Sequence, residues 1–331
     1  MKTFNYHTPK DVKEASKLSS TSSAFLAGGM TTIPSMKLGL ASYKDVIDIK
    51  NIKKLSGIKV SAKTVTIGAT TKHAEVASSK DVKDASKLAS SNSAFLAGGM
   101  TTIPSMKLGL ASYKDVIDIK NIKKLSGIKV SGKTVTIGAT TKHVEVATSK
   151  DVQKAIPALA KLAGNIGDAQ VRNRGTIGGS ISNNDPSACY PSACMALNAV
   201  IHTNKRKIDA DKFFTGMFET ALKSGELVEA VEFQIPEKAD YQKHPNPASR
   251  YAIIGVFVAK HKKDVNVAVT GAKSCVYIDK DLSKKLSSSF SASAIEGMEV
   301  KASGMNSDMH ASAEYRANLV SLYAKKAVEA C

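Results

Sequence analysis

The chain repeats itself. Residues 10–79 return as residues 80–149 at an offset of 70, and only seven positions differ: Glu14/Asp84, Ser19/Ala89, Thr21/Ser91, Ser22/Asn92, Ala62/Gly132, Ala74/Val144 and Ser78/Thr148. A solenoid needs roughly three or more stacked units to bury a continuous core, so two units point to a tandem duplication within a single-copy architecture. Each copy reads as helix (DVKEASKL), strand (AFLAGG), helix (TTIPSMKLGL), strand (KDVIDI), a turn-rich stretch and a hairpin (GIKVSAKTVTIGA). Strands alternating with short helices predict an α/β or α+β lobe. Only the first copy follows an opening strand, Thr3 to Tyr6; the second follows the end of the first.

Beyond the repeat, a helix is expected over Lys150 to Leu162, interrupted near Pro157. A glycine-rich turn (VRNRGTIGGSISNNDPS) comes next, then a helical run from Ser192 to Asn198 and a strand from Ala199 to Thr203. Pro236, Pro245 and Pro247 bracket a boundary near 236–248. Three strands (RYAIIGVFVAK, VNVAVTGA, SCVYI) and a last helix capped by Ser312 complete the chain.

Two easy function classes are set aside by composition. The net charge of +18 suggests a nucleic-acid binder, but only Arg172, Arg174, Arg206, Arg250 and Arg316 are arginines, and the lysines are scattered without interleaved aromatics. Part of the excess is duplicated: residues 80–149 hold 11 lysines against five carboxylates. Solvated lysines and attraction to an acidic partner explain the rest. Cys189, Cys194, Cys275 and Cys331 form no C-x-x-C pair, so the chain is expected to hold neither zinc nor an iron–sulfur cluster. No apolar run reaches the ~20 residues of a membrane span, and no signal-peptide core opens the chain. A cytoplasmic location is the expectation.

Gly127 to Thr134 fits G-x-x-x-x-G-K-T letter for letter. A phosphate-binding loop must open a helix, whereas Thr134-Val135-Thr136-Ile137 continues as a strand, so a hairpin turn at Ser131-Gly132 is predicted. His143-Val144-Glu145, like its copy His73-Ala74-Glu75, is read as a surface or packing pair, since no nucleophile accompanies it. Two Gly-Gly turns carry more. One is Ala27-Gly28-Gly29-Met30-Thr31, repeated as Ala97-Gly98-Gly99-Met100-Thr101; the other is Thr176-Ile177-Gly178-Gly179-Ser180. Glycines let backbone approach a ligand, and main-chain N–H groups with nearby hydroxyls suit a pyrophosphate. G-x-G-x-x-G is missing, which argues against a Rossmann site.

AFLAGGMTTIPSMKLGL, QVRNRGTIGGSISNNDPSACYPSA, FFTGMFETALKSGELVEAV, NPASRYAIIGVFVA and MNSDMHASAEYRANLV occur in order. Together they resemble the FAD-binding medium subunit of carbon monoxide dehydrogenase and xanthine dehydrogenase-type molybdenum hydroxylases, over essentially the whole chain once one copy is removed. The resemblance implies an α+β fold: a two-lobed, PCMH-type flavin domain (1–236) and a smaller C-terminal α/β domain (237–331). Within the flavin domain, residues 1–79 and 80–149 are alternative first lobes and 150–236 the second. FAD lies between lobes, its pyrophosphate on both glycine motifs, with further contacts at Gly167, Asp185 and Leu222. A family acidic residue falls at Cys189, a departure that removes a carboxylate partner for the cofactor. The implied partners are a large molybdopterin subunit and a small [2Fe–2S] subunit, whose electrons the flavin passes to an acceptor. The alternative is a docking module of the same complex that has lost FAD. Joined directly to the rest, the second copy is expected to complete the site, leaving the first with little core of its own.

Overall fold

The computed structural model describes residues 3–29, 32–56, 58–60, 65–67 and 81–331. The chain divides into two units, Met1–Ser78 and Ser79–Cys331.

In the first unit the opening strand Asn5–His7 pairs in parallel with Asp45–Asp48, which pairs in parallel with Ser23–Leu26. Parallel neighbours require crossover connections, and the helices Val12–Lys17 and Thr32–Lys37 provide them. Asp11 caps the first of these by accepting the N–H of Glu14 at 2.8 Å. Pro34 stands in the first turn of the second, where its missing N–H costs no helical bond. Two small cores result. Ala15, Ile47 and Ile52 form one; Leu26, Met36 and Val46, covered by Phe4, Ala41 and Tyr43, form the other. The antiparallel strands Ile58–Val60 and Val65–Ile67 follow. Met30, Thr31 and His73-Ala74-Glu75 lie outside the described residues.

The second unit opens with the same motif, one strand short. Ser93–Leu96 and Asp115–Asp118 form a two-stranded parallel sheet beside the helices Val82–Leu88 and Thr102–Lys107. Its core of Val82, Ala85, Ile117, Ile119, Ile122 and Leu125 is closed by Leu227 from far along the chain. The hairpin Ile128–Ser131/Thr134–Gly138 then enters a five-stranded antiparallel sheet whose central strand, Val228–Gln234, pairs with both Thr134–Gly138 and Val200–Thr203. Hence residues 80–149 are no separate body. The hairpin turn falls at Gly132-Lys133, one residue later than the sequence suggests, because Ser131 pairs with Thr134. No helix follows the P-loop-like string, which ends in the strand Thr134–Gly138.

The stretch read as one glycine-rich turn is instead two helices, Ala169–Arg174 and Ile177–Asn183. Asp168 caps the first and Thr176 the second, and capping outweighs the poor helix propensity of Gly178 and Gly179. Pro157 divides the preceding helical stretch into Lys150–Ala155 and Pro157–Gly164, standing at the start of the second.

A four-stranded antiparallel meander, Lys238–Pro245, Ala252–His261, Asp264–Thr270 and Tyr277–Ile278, begins directly after Pro236. Residues 238–245 are thus a strand, which ends on Pro245. One sheet face sends Tyr241, Phe257 and Ala268 into the core shared with the five-stranded sheet. The other carries Val256, Val258 and Val267 against the helices Lys280–Ser288 and Ala313–Glu329. Coverage on both faces explains the unbroken apolar run from Ala252 to Ala259. Ser312 caps the last helix, and Arg316, 3% exposed, ties it to the sheet by donating to the carbonyls of Ile253 (2.8 Å) and Gly271 (3.0 Å) and pairing with Asp308 (2.7 Å).

Candidate functional site

A cavity of about 420 Å³ opens within the second unit. Its walls include Ala97 to Thr101, Gly167, Thr176, Gly178, Gly179, Ser180, Asp185, Cys189 and Leu222, so segments distant in sequence converge there. Ile177 is fully buried in the apolar core and does not line the cavity. The equivalents Ala27, Gly28 and Gly29 belong to the other unit.

The two glycine motifs touch. A Cβ added at Gly98 would sit 2.1 Å from the carbonyl oxygen of Arg174 and 3.1 Å from the Cα of Gly175, so only glycine permits this approach. In return, Arg174 Nη2 lies 3.5 Å from the carbonyl oxygen of Gly98. Gly99, at φ +73, turns the chain from strand into helix.

Their chemistry differs. Among the described residues, the amides of Gly98, Gly99, Met100, Thr101 and Thr102 donate to no protein acceptor, and they line the cavity. Successive free N–H groups of this kind form an anion-binding concavity. At the second motif Ile177 donates to Thr141, Gly178 to Ala139 and Ser180 to Thr176, while Gly179 caps on the Thr176 hydroxyl at 3.2 Å. The expectation that both bends offer main-chain donors is therefore corrected: the carbonyls of Thr141 and Ala139 and the Thr176 cap consume those of the second. What it presents is the exposed backbone of Gly179 and the Ser180 side chain. Gly178 serves packing, since its added Cβ would meet Ala139 Cβ at 2.5 Å. Replacing Thr176 by valine is expected to cost about 1 kcal/mol through the lost cap, read as a lower urea midpoint with unchanged m-value.

Among the described residues, Arg250 is the only arginine or lysine on the cavity wall, so an anion there is held chiefly by main-chain dipoles. Burial pushes the Asp185 carboxyl up; it accepts the N–H of Ser187 at 2.8 Å. Tyr251 is half-exposed on the wall, its hydroxyl pushed up by burial and then by Asp185 and Cys189. Cys189 is 5% exposed, with its Sγ 3.8 Å from Lys243 Nζ. That ammonium also donates to the carbonyls of Asn165 and Arg250. A thiol and two carbonyls thus surround a cation where the family pattern expects a carboxylate. His143 is 4% exposed behind Gly175. Burial, and then the charge of Arg172, push it down to about 4, so it packs as a neutral ring. Its neighbour Glu145 caps the helix by accepting the N–H of Lys142 at 2.7 Å.

Sequence reasoning missed Phe95, Tyr113, Asn183, Glu226 and Tyr251 among the lining residues. The signal available was the hydrophobic strand before the first glycine motif and the Arg-Tyr pair in NPASRYA. Among the described residues no group of His, Cys, Asp and Glu is arranged to hold a metal ion, and no helix is long and apolar enough to cross a membrane.

The fold and the free-amide cradle define a nucleotide-binding α+β protein, and comparison with known proteins narrows the class. The family model described as "FAD binding domain in molybdopterin dehydrogenase" matches residues 2–94 and 79–237, once for each copy. The carbon monoxide dehydrogenase medium chain of Hydrogenophaga pseudoflava is 32% identical over 258 residues, 72% of this chain and 89% of that one. The glyceraldehyde dehydrogenase medium chain of Sulfolobus acidocaldarius is 38% identical over 170 residues, 50% of this chain and 60% of that one. The solved carbon monoxide dehydrogenase from Hydrogenophaga pseudoflava that lacks the Mo-pyranopterin moiety superposes with a TM-score of 0.67 at 28% identity, covering 76% of this chain and 95% of that one. The chain belongs to the family of FAD-binding domains in molybdopterin dehydrogenases. It is an FAD-binding, medium-type subunit of a dehydrogenase.

Proposed function

We propose that the chain holds one FAD in this cavity and relays electrons between [2Fe–2S] clusters on a small partner subunit and an acceptor, beside a large molybdopterin subunit that oxidises the substrate. The observation that carries this reading is the run of free amides from Gly98 to Thr102, set against Arg174 and Gly175. These residues fit a diphosphate: five main-chain donors, the Thr101 hydroxyl and, across the cavity, Gly179 and Ser180. Gly167, Asp185, Cys189 and Leu222 line the remaining wall, in reach of other parts of the nucleotide. Bound FAD supplies the electron-carrying chemistry. The protein positions it, shields it from water and sets its electrostatic surroundings. Lys243, behind that wall beside Cys189 and the Arg250 carbonyl, adds a positive charge to those surroundings.

Purified protein is expected to be yellow, with one FAD per chain after denaturation. Gly98→Val is expected to lower FAD affinity at least ~10-fold, because a side chain there would collide with the Arg174 carbonyl, a loss of 1.4 kcal/mol or more. Colourless protein that takes up no added FAD would sink the proposal.

A further inference from the structure

Each unit contains the same parallel strand pair, finished in the first and unfinished in the second. In the first unit the opening strand Asn5–His7 completes the sheet by pairing in parallel with Asp45–Asp48, Asn5 opposite Asp45 and His7 opposite Ile47. The Asn5 amide donates to the Lys44 carbonyl at 2.9 Å, and the Asn5 side chain donates to Asp45 at 3.0 Å. His7 Nε2 lies 2.9 Å from the same carboxylate, while the Tyr6 hydroxyl donates to Asp48. Phe4, one residue earlier, packs on the core of Leu26, Met36 and Val46, where Met36 is 4% and Val46 2% exposed. Alternate side chains of a strand share a face. Asn5 and His7 thus meet one carboxylate, and Phe4 and Tyr6 meet Val46 and Asp48 on the other side.

The second unit repeats the receiving edge. Leu96, Met106, Ala111, Tyr113 and residues 114–120 (KDVIDIK) match their counterparts letter for letter. Among the described residues, Asp115–Asp118 pairs only with Ser93–Leu96, and nothing donates to the Lys114 carbonyl. Met106 is 37% exposed, Val116 half-buried and Asp115 exposed. A row of unpaired main-chain groups beside apolar side chains is a template for an added strand.

We propose that the Asp115–Asp118 edge is a docking site for an extended segment of a partner protein, which adds in parallel and carries the pattern aromatic–Asn–Tyr–His. The completed sheet of the first unit displays the occupant that such an edge selects. Main-chain bonds supply affinity and the alternating side chains supply selectivity: Asp115 takes the Asn and His, Asp118 takes the Tyr hydroxyl, and the aromatic residue covers Met106 and Val116. A second copy of this chain offers no gain, because lending its own opening strand bares the edge that the strand came from.

The test needs no cofactor, so its failure is separable from failure of the FAD reading. A fluorescently labelled peptide of residues 3–8 (TFNYHT) is titrated with full-length protein, and anisotropy is read. One peptide per chain is expected to bind saturably, with a midpoint below ~1 mM. Asp115→Ala, at an exposed position, is expected to weaken binding at least ~5-fold through lost hydrogen bonds to a charged group. The peptide carrying Phe4→Ser is expected to weaken it at least ~5-fold through lost apolar burial; this change leaves the protein untouched and stands even if the Asp115→Ala chain fails to fold. The proposal is overturned if no saturable binding is seen, if a scrambled peptide of the same composition binds equally well, or if binding is indifferent to Asp115→Ala or to Phe4→Ser. It is also overturned if the chain self-associates and takes up peptide only on dissociating, which makes a second copy the occupant.

Discussion

Replacing Gly178 by valine is expected to destabilise the second unit by about 3 kcal/mol, near the upper end for overpacked cores, and to strip the protein of FAD. The added Cβ would lie 2.5 Å from Ala139 Cβ and 2.7 Å from the Ala139 carbonyl oxygen, both on the residue that directly follows the sheet strand Thr134–Gly138 and is held to it. The helix Ile177–Asn183 must shift instead, breaking the 2.9 Å bond from the Gly178 amide to that carbonyl. Gly179 and Ser180 ride on this helix, so the far wall of the cavity moves with it. Gly179→Ala is the control: only the Thr176 hydroxyl lies near its added Cβ, at 3.0 Å. Stability there should stay within about 0.5 kcal/mol. Urea unfolding and flavin absorbance read both effects; a valine variant as stable and as yellow as the parent would refute the packing argument.

The second large effect is pH-dependent. His143 is held neutral in the fold, its pKa down from 6.5 to about 4 by burial and by Arg172. The unfolded chain therefore binds the proton first as pH falls. The ring's contribution is harmless above 6.5, turns increasingly destabilising below it, and levels off under about 4. At 1.36 kcal/mol per pKa unit the full penalty is about 3 kcal/mol. His143→Gln removes the titration, so between pH 7 and pH 4 the variant should lose about 3 kcal/mol less stability than the parent. Parallel losses in the two proteins, measured by urea titration at each pH, would contradict the buried neutral ring.

Local chemistry made some of this architecture readable in advance. The repeat, the strand–bend–helix order around Gly98 and the Ser312 cap follow from short-range patterns. The helix Ile177–Asn183 was hidden because two adjacent glycines signal a turn, whereas the Thr176 cap and the docking of Gly178 on Ala139 decide otherwise. Pairing of Val228–Gln234 with Thr134–Gly138 spans nearly a hundred residues, and no local periodicity encodes it. In the site, the glycine and hydroxyl residues that line the cavity were legible as candidates. Which amides stay free was not, since that depends on where each helix begins. Tyr251 and Phe95 are ordinary apolar positions until the fold turns them toward one cavity.

Among the described residues nothing lies within 4 Å of a Cβ added at Gly28, whereas Gly98 is wedged against a carbonyl. A side chain arising by mutation at position 28 would meet no steric barrier among the described residues, whereas one at 98 would be rejected at once. Random substitution should therefore erode the two bends unequally: the earlier bend is the one free to drift, and its descendants are where a lineage bearing this duplication would first acquire novelty.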